Sequence, residues 1–298
     1  MRTQTASGAA LVALVSTFCV RAQELPRDWK RQLIQNGATT LELYIRGKGS
    51  PILMHPGGGG SAWQLKELGM RVSDAGFKVI LINPRGIGAS SGRLDDITLH
   101  DLASDVWACA DELSLPKVHL LGRAFGNRVM RTASSDQPNR VLSLTLLAAG
   151  GEIAPTPEAA LNLSKAFDST LNAKERLDAL RDATYAPGHQ PDPSYLLHEL
   201  NGKTYEKQQA ASRRTNLKEW YLGGIAPMLV VQCLADKIAV PLNAWNLVTE
   251  RANARLVALP GCGHAMIPEQ LQAISHSVVG FLQEAGSKPV TTAAPGKR

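Results

Sequence analysis

The chain has 298 residues, 44% hydrophobic and 19% charged, an ordinary globular composition with room for one large α/β domain and an insertion. Its formal net charge is +6, yet no Lys/Arg run or aromatic-interleaved basic patch occurs, which argues against nucleic-acid binding. Beyond the N-terminus no segment is long and apolar enough for a membrane helix.

Residues 1–22 read as an export signal. Arg2 supplies a weak positive start, and 9–20 are apolar but too short to span a bilayer. Val20-Arg21-Ala22 fits a cleavage site that leaves Gln23 at the mature end. A frayed extension is the competing reading. Phe18, bulky and next to Cys19, argues against a lipoprotein site. The signal implies a periplasmic or extracellular protein. Cys109, Cys233 and Cys262 would remain, an odd count that implies no disulfide framework. One pair, Cys233 with Cys262, has room to form in an oxidising compartment.

Strands are expected at 30–36 and 39–46, joined at Gly37. Leu41, Leu43 and Ile45 alternate with polar or amphipathic residues, the period of a strand. A third strand, 51–54, runs into His55-Pro56-Gly57-Gly58-Gly59-Gly60, and 63–75 has helical spacing. The buried strand 78–82 ends in a glycine-rich loop, Arg85-Gly86-Ile87-Gly88-Ala89-Ser90. Thr98 and Asp101 make a capping box, which predicts a helix over 99–113.

The apolar run 118–121 leads into Gly122-Arg123-Ala124-Phe125-Gly126, and 125–135 are helical in composition. A strand at 141–147 follows. Alternating β and α segments at this spacing predict a mostly parallel sheet covered on both faces. Residues 152–224 change character: they are polar and hold helical stretches at 157–169, 173–183 and 203–214. They read as a helical lid inserted into a core formed by 23–151 and 225–286. The sheet resumes at 227–232 and 255–259, and 271–284 form a closing helix. Residues 287–298, rich in Pro, Thr, Ala, Gly and Lys, read as a disordered tail.

Strand, Gly-x-x-x-Gly turn and helix make a nucleophile elbow. The glycines permit the sharp turn, and the residue between them is held at its tip. A working elbow carries Ser, Cys or Asp there. This chain carries Ala124, whose methyl cannot attack.

In this combination and order, the glycine-rich loop after the third strand, the Arg-Gly-x-Gly-x-Ser loop and the elbow resemble the α/β-hydrolase superfamily over residues 30–286. The resemblance implies a twisted, mostly parallel sheet with helices on both faces and an inserted helical lid. It places a catalytic acid at Asp236, straight after a strand, with Glu152 at the alternative acid position. It places the base at His264, in Pro260-Gly261-Cys262-Gly263-His264. The imidazole Nδ1–H would donate to the carboxylate, which fixes the tautomer. Oxyanion donors would be the N–H of Phe125 and that of Gly57 or Gly58. His55, Arg123 and Trp63 are expected at the pocket. Arg123 departs from the superfamily pattern. It either attracts an anionic substrate group or, the reading preferred here, points away to pair with a surface carboxylate. Cys233, Cys262 and Ser61 are off the elbow tip and poor substitutes for the missing nucleophile.

Some members of the superfamily carry Gly-x-Ala-x-Gly at the elbow. The aminoacrylate hydrolase of bacterial pyrimidine degradation is one, and the chain resembles it at that motif. Two functions follow from the resemblance. One is a noncanonical hydrolase or lyase in which His264, oriented by Asp236, activates water on a small activated substrate. The other is a pseudoenzyme that binds a ligand or regulates. Neither calls for a cofactor or a metal, and the oligomeric state is not legible.

Overall fold

A computed structural model describes residues 28–193 and 200–287. The export signal expected at 1–22 and residues 288–298 of the expected tail lie outside the described residues.

The chain opens on a β-hairpin, β1 (Lys30–Asn36) and β2 (Thr39–Arg46), turned at Gly37 with φ 59. A left-handed φ is cheap only for glycine. Then follow β3 (Pro51–His55), α1 (Lys66–Asp74), β4 (Lys78–Asn83), α2 (Leu99–Glu112), β5 (Val118–Arg123) and α3 (Phe125–Asp136). The helical spacing at 63–75 resolves into a short 3-10 turn, Ala62–Leu65, ahead of α1. Thr98 and Asp101 form the expected capping box at the start of α2.

Next come β6 (Val141–Leu147), α4 (Pro157–Phe167), α5 (Ala173–Thr184), α6 (Gly202–Arg214) and α7 (Leu217–Trp220). The chain closes with β7 (Met228–Cys233), α8 (Pro241–Glu250), β8 (Ala254–Leu259) and α9 (Met266–Ser287). The last helix starts five positions before the expected 271. A non-helical Gln270 separates its first turn from the rest, and only the later part shows the regular period.

The eight strands form one sheet in the order β1-β2-β4-β3-β5-β6-β7-β8. β1 with β2, and β2 with β4, are antiparallel; every later pairing is parallel. Period-two alternation sends neighbouring residues to opposite faces. Leu53, Leu120 and Val230 enter one core with Trp107 of α2 and Met130 of α3. Ile52, Leu121 and Val231 enter the other with Leu68 of α1 and Ile274 of α9. A sheet buried on both sides needs continuous apolar strands, and β5 is buried at every position. Helices α4 to α7 lie between β6 and β7, on the edge where the parallel strands end.

Candidate active site

The elbow forms because two positions tolerate no Cβ. A Cβ at Gly122 would lie 2.4 Å from the Gly126 carbonyl oxygen and 2.5 Å from the Asn127 nitrogen. A Cβ at Gly126 would lie 2.4 Å from the carbonyl oxygens of both His55 and Pro56. Strand β5 and helix α3 are therefore pressed together, and the turn tightens at Ala124, with φ 49 and ψ −112. Such a backbone costs a non-glycine residue about 1–3 kcal/mol and persists only where the surroundings over-determine it. Here the Ala124 N–H donates to Leu147 O at 2.9 Å, and Asn127 Nδ2 donates to Ala148 O at 2.9 Å.

Ala124 opens onto a cavity of about 220 Å³ between the carboxyl ends of the strands and the inserted helices. His264 lines the same cavity. Its Nδ1 lies 2.9 Å from Asp236 Oδ2 and 3.1 Å from Oδ1, and both residues are buried. With Nδ1–H donating to the carboxylate, Nε2 of the neutral ring is the free base. The carboxylate is itself held: Oδ1 accepts from the N–H groups of Ile238 and Ala239 at 2.8 Å, and Oδ2 accepts from Gln232 Nε2 at 3.3 Å. The alternative acid, Glu152, is exposed; its charge acts on the Tyr221 hydroxyl, whose pKa burial and the neighbouring carboxylates raise to about 12.

Among the described residues, the N–H groups of Gly58 and Phe125 donate no hydrogen bond. Phe125 is the first residue of α3, where the helix leaves its amides unpaired. The Gly57 N–H is already taken by Gln64 Oε1 at 3.0 Å, so Gly58 is the available donor of its loop. Gly58 is held close to α6: a Cβ there would lie 2.9 Å from the Tyr205 ring.

Of the three residues expected at the pocket, His55 and Trp63 lie outside it and Arg123 lines it in an unexpected orientation. His55 lies beneath the elbow, fully buried and outside the cavity lining. Its Nδ1 is 2.9 Å from Pro56 O, and burial lowers its pKa to about 4, so it stays neutral. Trp63 also lies outside the lining and packs against Tyr44 and Trp29. The glycine loop turns away after Gly58 and carries Trp63 to the far face. Arg123 does line the cavity but does not point away to a surface carboxylate. It is 7% exposed, donating from Nη1 to Gln64 Oε1 and from Nη2 to His264 O, each at 3.1 Å. Gln64 thus links the glycine loop to the elbow. Sequence reasoning misses it, because nothing local distinguishes it from a surface glutamine. Ser61 caps the 3-10 turn by accepting from Trp63 N, as a structural residue. The Arg85 loop is structural too: Arg85 pairs with Asp105 through Nε at 2.6 Å and Nη2 at 2.9 Å.

Cys233 and Cys262 form a disulfide, with Cα atoms 5.2 Å apart and a sequence separation of 29. It ties the end of β7 to the loop after β8, three residues before Asp236 and two before His264. Closing a loop of this length is worth about 3–4 kcal/mol by the chain-entropy estimate. The Cys233→Ala/Cys262→Ala protein should therefore unfold at clearly lower denaturant than the parent. Coincident unfolding curves would show that the bond contributes nothing.

A family model described as alpha/beta hydrolase fold matches residues 50–270. A putative carbamate hydrolase, RutD, of Variovorax paradoxus is 27% identical over 261 residues, 84% of this chain and 97% of its own. A 2-hydroxy-6-oxononadienedioate/2-hydroxy-6-oxononatrienedioate hydrolase of Pseudomonas putida is 27% identical over 270 residues, 84% of this chain and 94% of its own. Among solved structures, the enol-lactonase of Burkholderia xenovorans superposes with a TM-score of 0.71 at 20% identity, over 85% of this chain and all of the other.

Proposed function

The chain belongs to the α/β-hydrolase-fold family, and we propose that it is a noncanonical hydrolase whose nucleophile is water. The observation that carries this reading is the buried His264–Asp236 pair, facing a cavity shared with Ala124. A protein that only bound a ligand would have no need of an acid-oriented imidazole. The relatives named above are hydrolases, which supports hydrolysis in general.

In this reaction a water in the cavity donates to His264 Nε2. As its oxygen attacks the substrate carbonyl carbon, the proton passes to Nε2, and Asp236 stabilises the imidazolium. The carbonyl π pair moves onto oxygen, where the Gly58 and Phe125 amides hold it. The oxyanion then collapses, the bond to the leaving group breaks, and the leaving group takes the proton from Nε2. Water adds across the acyl bond, and the enzyme returns to its starting state without a covalent intermediate. General-base catalysis supplies about 10²–10⁴-fold, so the substrates are activated ones such as lactones, enamines or carbamates. Export through residues 1–22 belongs to the same proposal, and the Cys233–Cys262 disulfide supports an oxidising compartment.

Two measurements test it together. The protein should hydrolyse an activated ester or carbamate, and a fluorophosphonate should label no serine, because that probe needs an activated elbow hydroxyl. Turnover with a labelled serine would restore a conventional nucleophile. No turnover on any activated acyl compound would favour the ligand-binding alternative.

A further inference from the structure

The cavity's charge is one-sided. Among the described residues that line it, Arg123 and Arg128 are cations and none is an Asp or Glu. Asp236 is spent on His264, its side chain fully buried behind the ring. A cation taken from water without an anion is costly, so each buried guanidinium needs other acceptors.

The arginines of this region meet that need differently. Arg131 donates to the carbonyl oxygens of Asn127, Tyr221 and Gly150 and to Asn127 Oδ1. Arg251 donates to the carbonyl oxygens of Leu222, Gly223 and Ala226 and to Asn253 Oδ1. Both are saturated by backbone and act as structural clamps. Arg128 is not. Of its five donors, one is used among the described residues, Nη1 to Ser212 Oγ at 2.8 Å. Its guanidinium carbon sits 5.7 Å from the centre of the Trp220 ring, which Arg131 also approaches, at 4.6 Å. Arg128 is half-buried, and that partial burial lowers its pKa but still leaves it a cation at neutral pH. Beside it on the wall, Tyr205 stacks on Phe167 with ring centroids 4.3 Å apart, and its hydroxyl has no partner among the described residues.

We propose that the cavity binds a small carboxylate-bearing substrate, with Arg128 as the group that holds the carboxylate. Resting on the hydrolytic reading, this narrows its substrate class to activated acyl compounds that carry an acid group away from the bond cleaved. A planar fork held at one nitrogen by Ser212 matches a carboxylate with its remaining N–H groups. Arg123 adds positive potential at the elbow but has its Nη atoms engaged by Gln64 and His264, so it supports the site rather than grips the ligand. Arg128 is a binding residue and takes no part in the chemistry assigned to His264, Asp236, Gly58 and Phe125.

The test is a binding titration followed by NMR, with pentanoate and its neutral isostere pentanamide as probes. The parent protein should bind pentanoate at least tenfold more tightly, with the preference weakening as salt rises. Arg128→Gln should erase the preference while leaving pentanamide binding in place. If losing the contact with Trp220 unfolds that variant, Arg128→Met, which keeps an apolar side chain over the ring, gives the same reading. Equal affinities in the parent, or an unchanged preference in a folded Arg128 variant, would overturn the proposal. Binding is read without turnover, which separates the two ideas. A protein that prefers pentanoate but hydrolyses nothing keeps this inference and loses the hydrolytic one. A protein that hydrolyses a neutral activated ester without any carboxylate preference does the reverse.

Discussion

Replacing His264 by alanine should lower the serine-independent hydrolysis of an activated ester by about 10²–10⁴-fold, the range that a positioned general base supplies. The change removes Nε2, the one ring nitrogen free of Asp236, and enlarges the cavity that the ring lines. The Arg123 contact is to the backbone carbonyl at 264, so the loop should stay anchored. Thermal unfolding near that of the parent would confirm that only the base is lost. Added imidazole should restore part of the rate, since the vacated volume opens on the cavity. A rate within threefold of the parent would mean that His264 is not the base. The effect should appear in kcat/KM and mostly in kcat, because the imidazole acts on the water and not on substrate binding.

Ala124→Ser should convert the site to conventional chemistry. The backbone at 124 already holds the strained elbow conformation, so the hydroxyl arrives in a geometry the fold has set. Ala124 faces the cavity that His264 lines, and the Phe125 N–H is the amide next to the new nucleophile. The expected result is stoichiometric fluorophosphonate labelling at position 124, where the parent shows none. Ester turnover should rise at least tenfold, through an acyl-enzyme seen as a burst. Exchanging Arg123 for histidine is the wrong companion change. Arg123 hydrogen-bonds Gln64 and the His264 carbonyl, and losing it would loosen the base that the new serine needs. A folded Ala124→Ser protein that neither labels nor speeds ester cleavage would show that the elbow tip and His264 are out of register.

Local pattern was enough to read the strands and most helices, because burial on both faces writes itself as apolar runs and capping residues mark helix starts. The elbow was legible for a stronger reason: Gly122 and Gly126 are required by close backbone approach, and no other side chain fits. Asp236 and His264 could be named from their places after β7 and β8, since the fold delivers those loops to one edge. The short helix α7 was not legible, as four residues show no period.

What tertiary structure alone decided is who meets whom. Glu152 and Asp236 each follow a strand, and only the folded loops show that Asp236 reaches His264 while Glu152 faces solvent. Gly57 and Gly58 are equivalent as letters, but Gln64 occupies one amide and leaves the other. His55 and Trp63 neighbour the glycine loop in sequence and leave the cavity because the chain turns away beneath the elbow. Arg123 is placed at the pocket by its neighbour at the elbow tip, but its partners, and the place of Arg128 on the cavity wall, depend on helix and insert packing together. Pairings across long sequence separations carry no local signal, because they are set by how sheet, elbow and inserted helices close on one another.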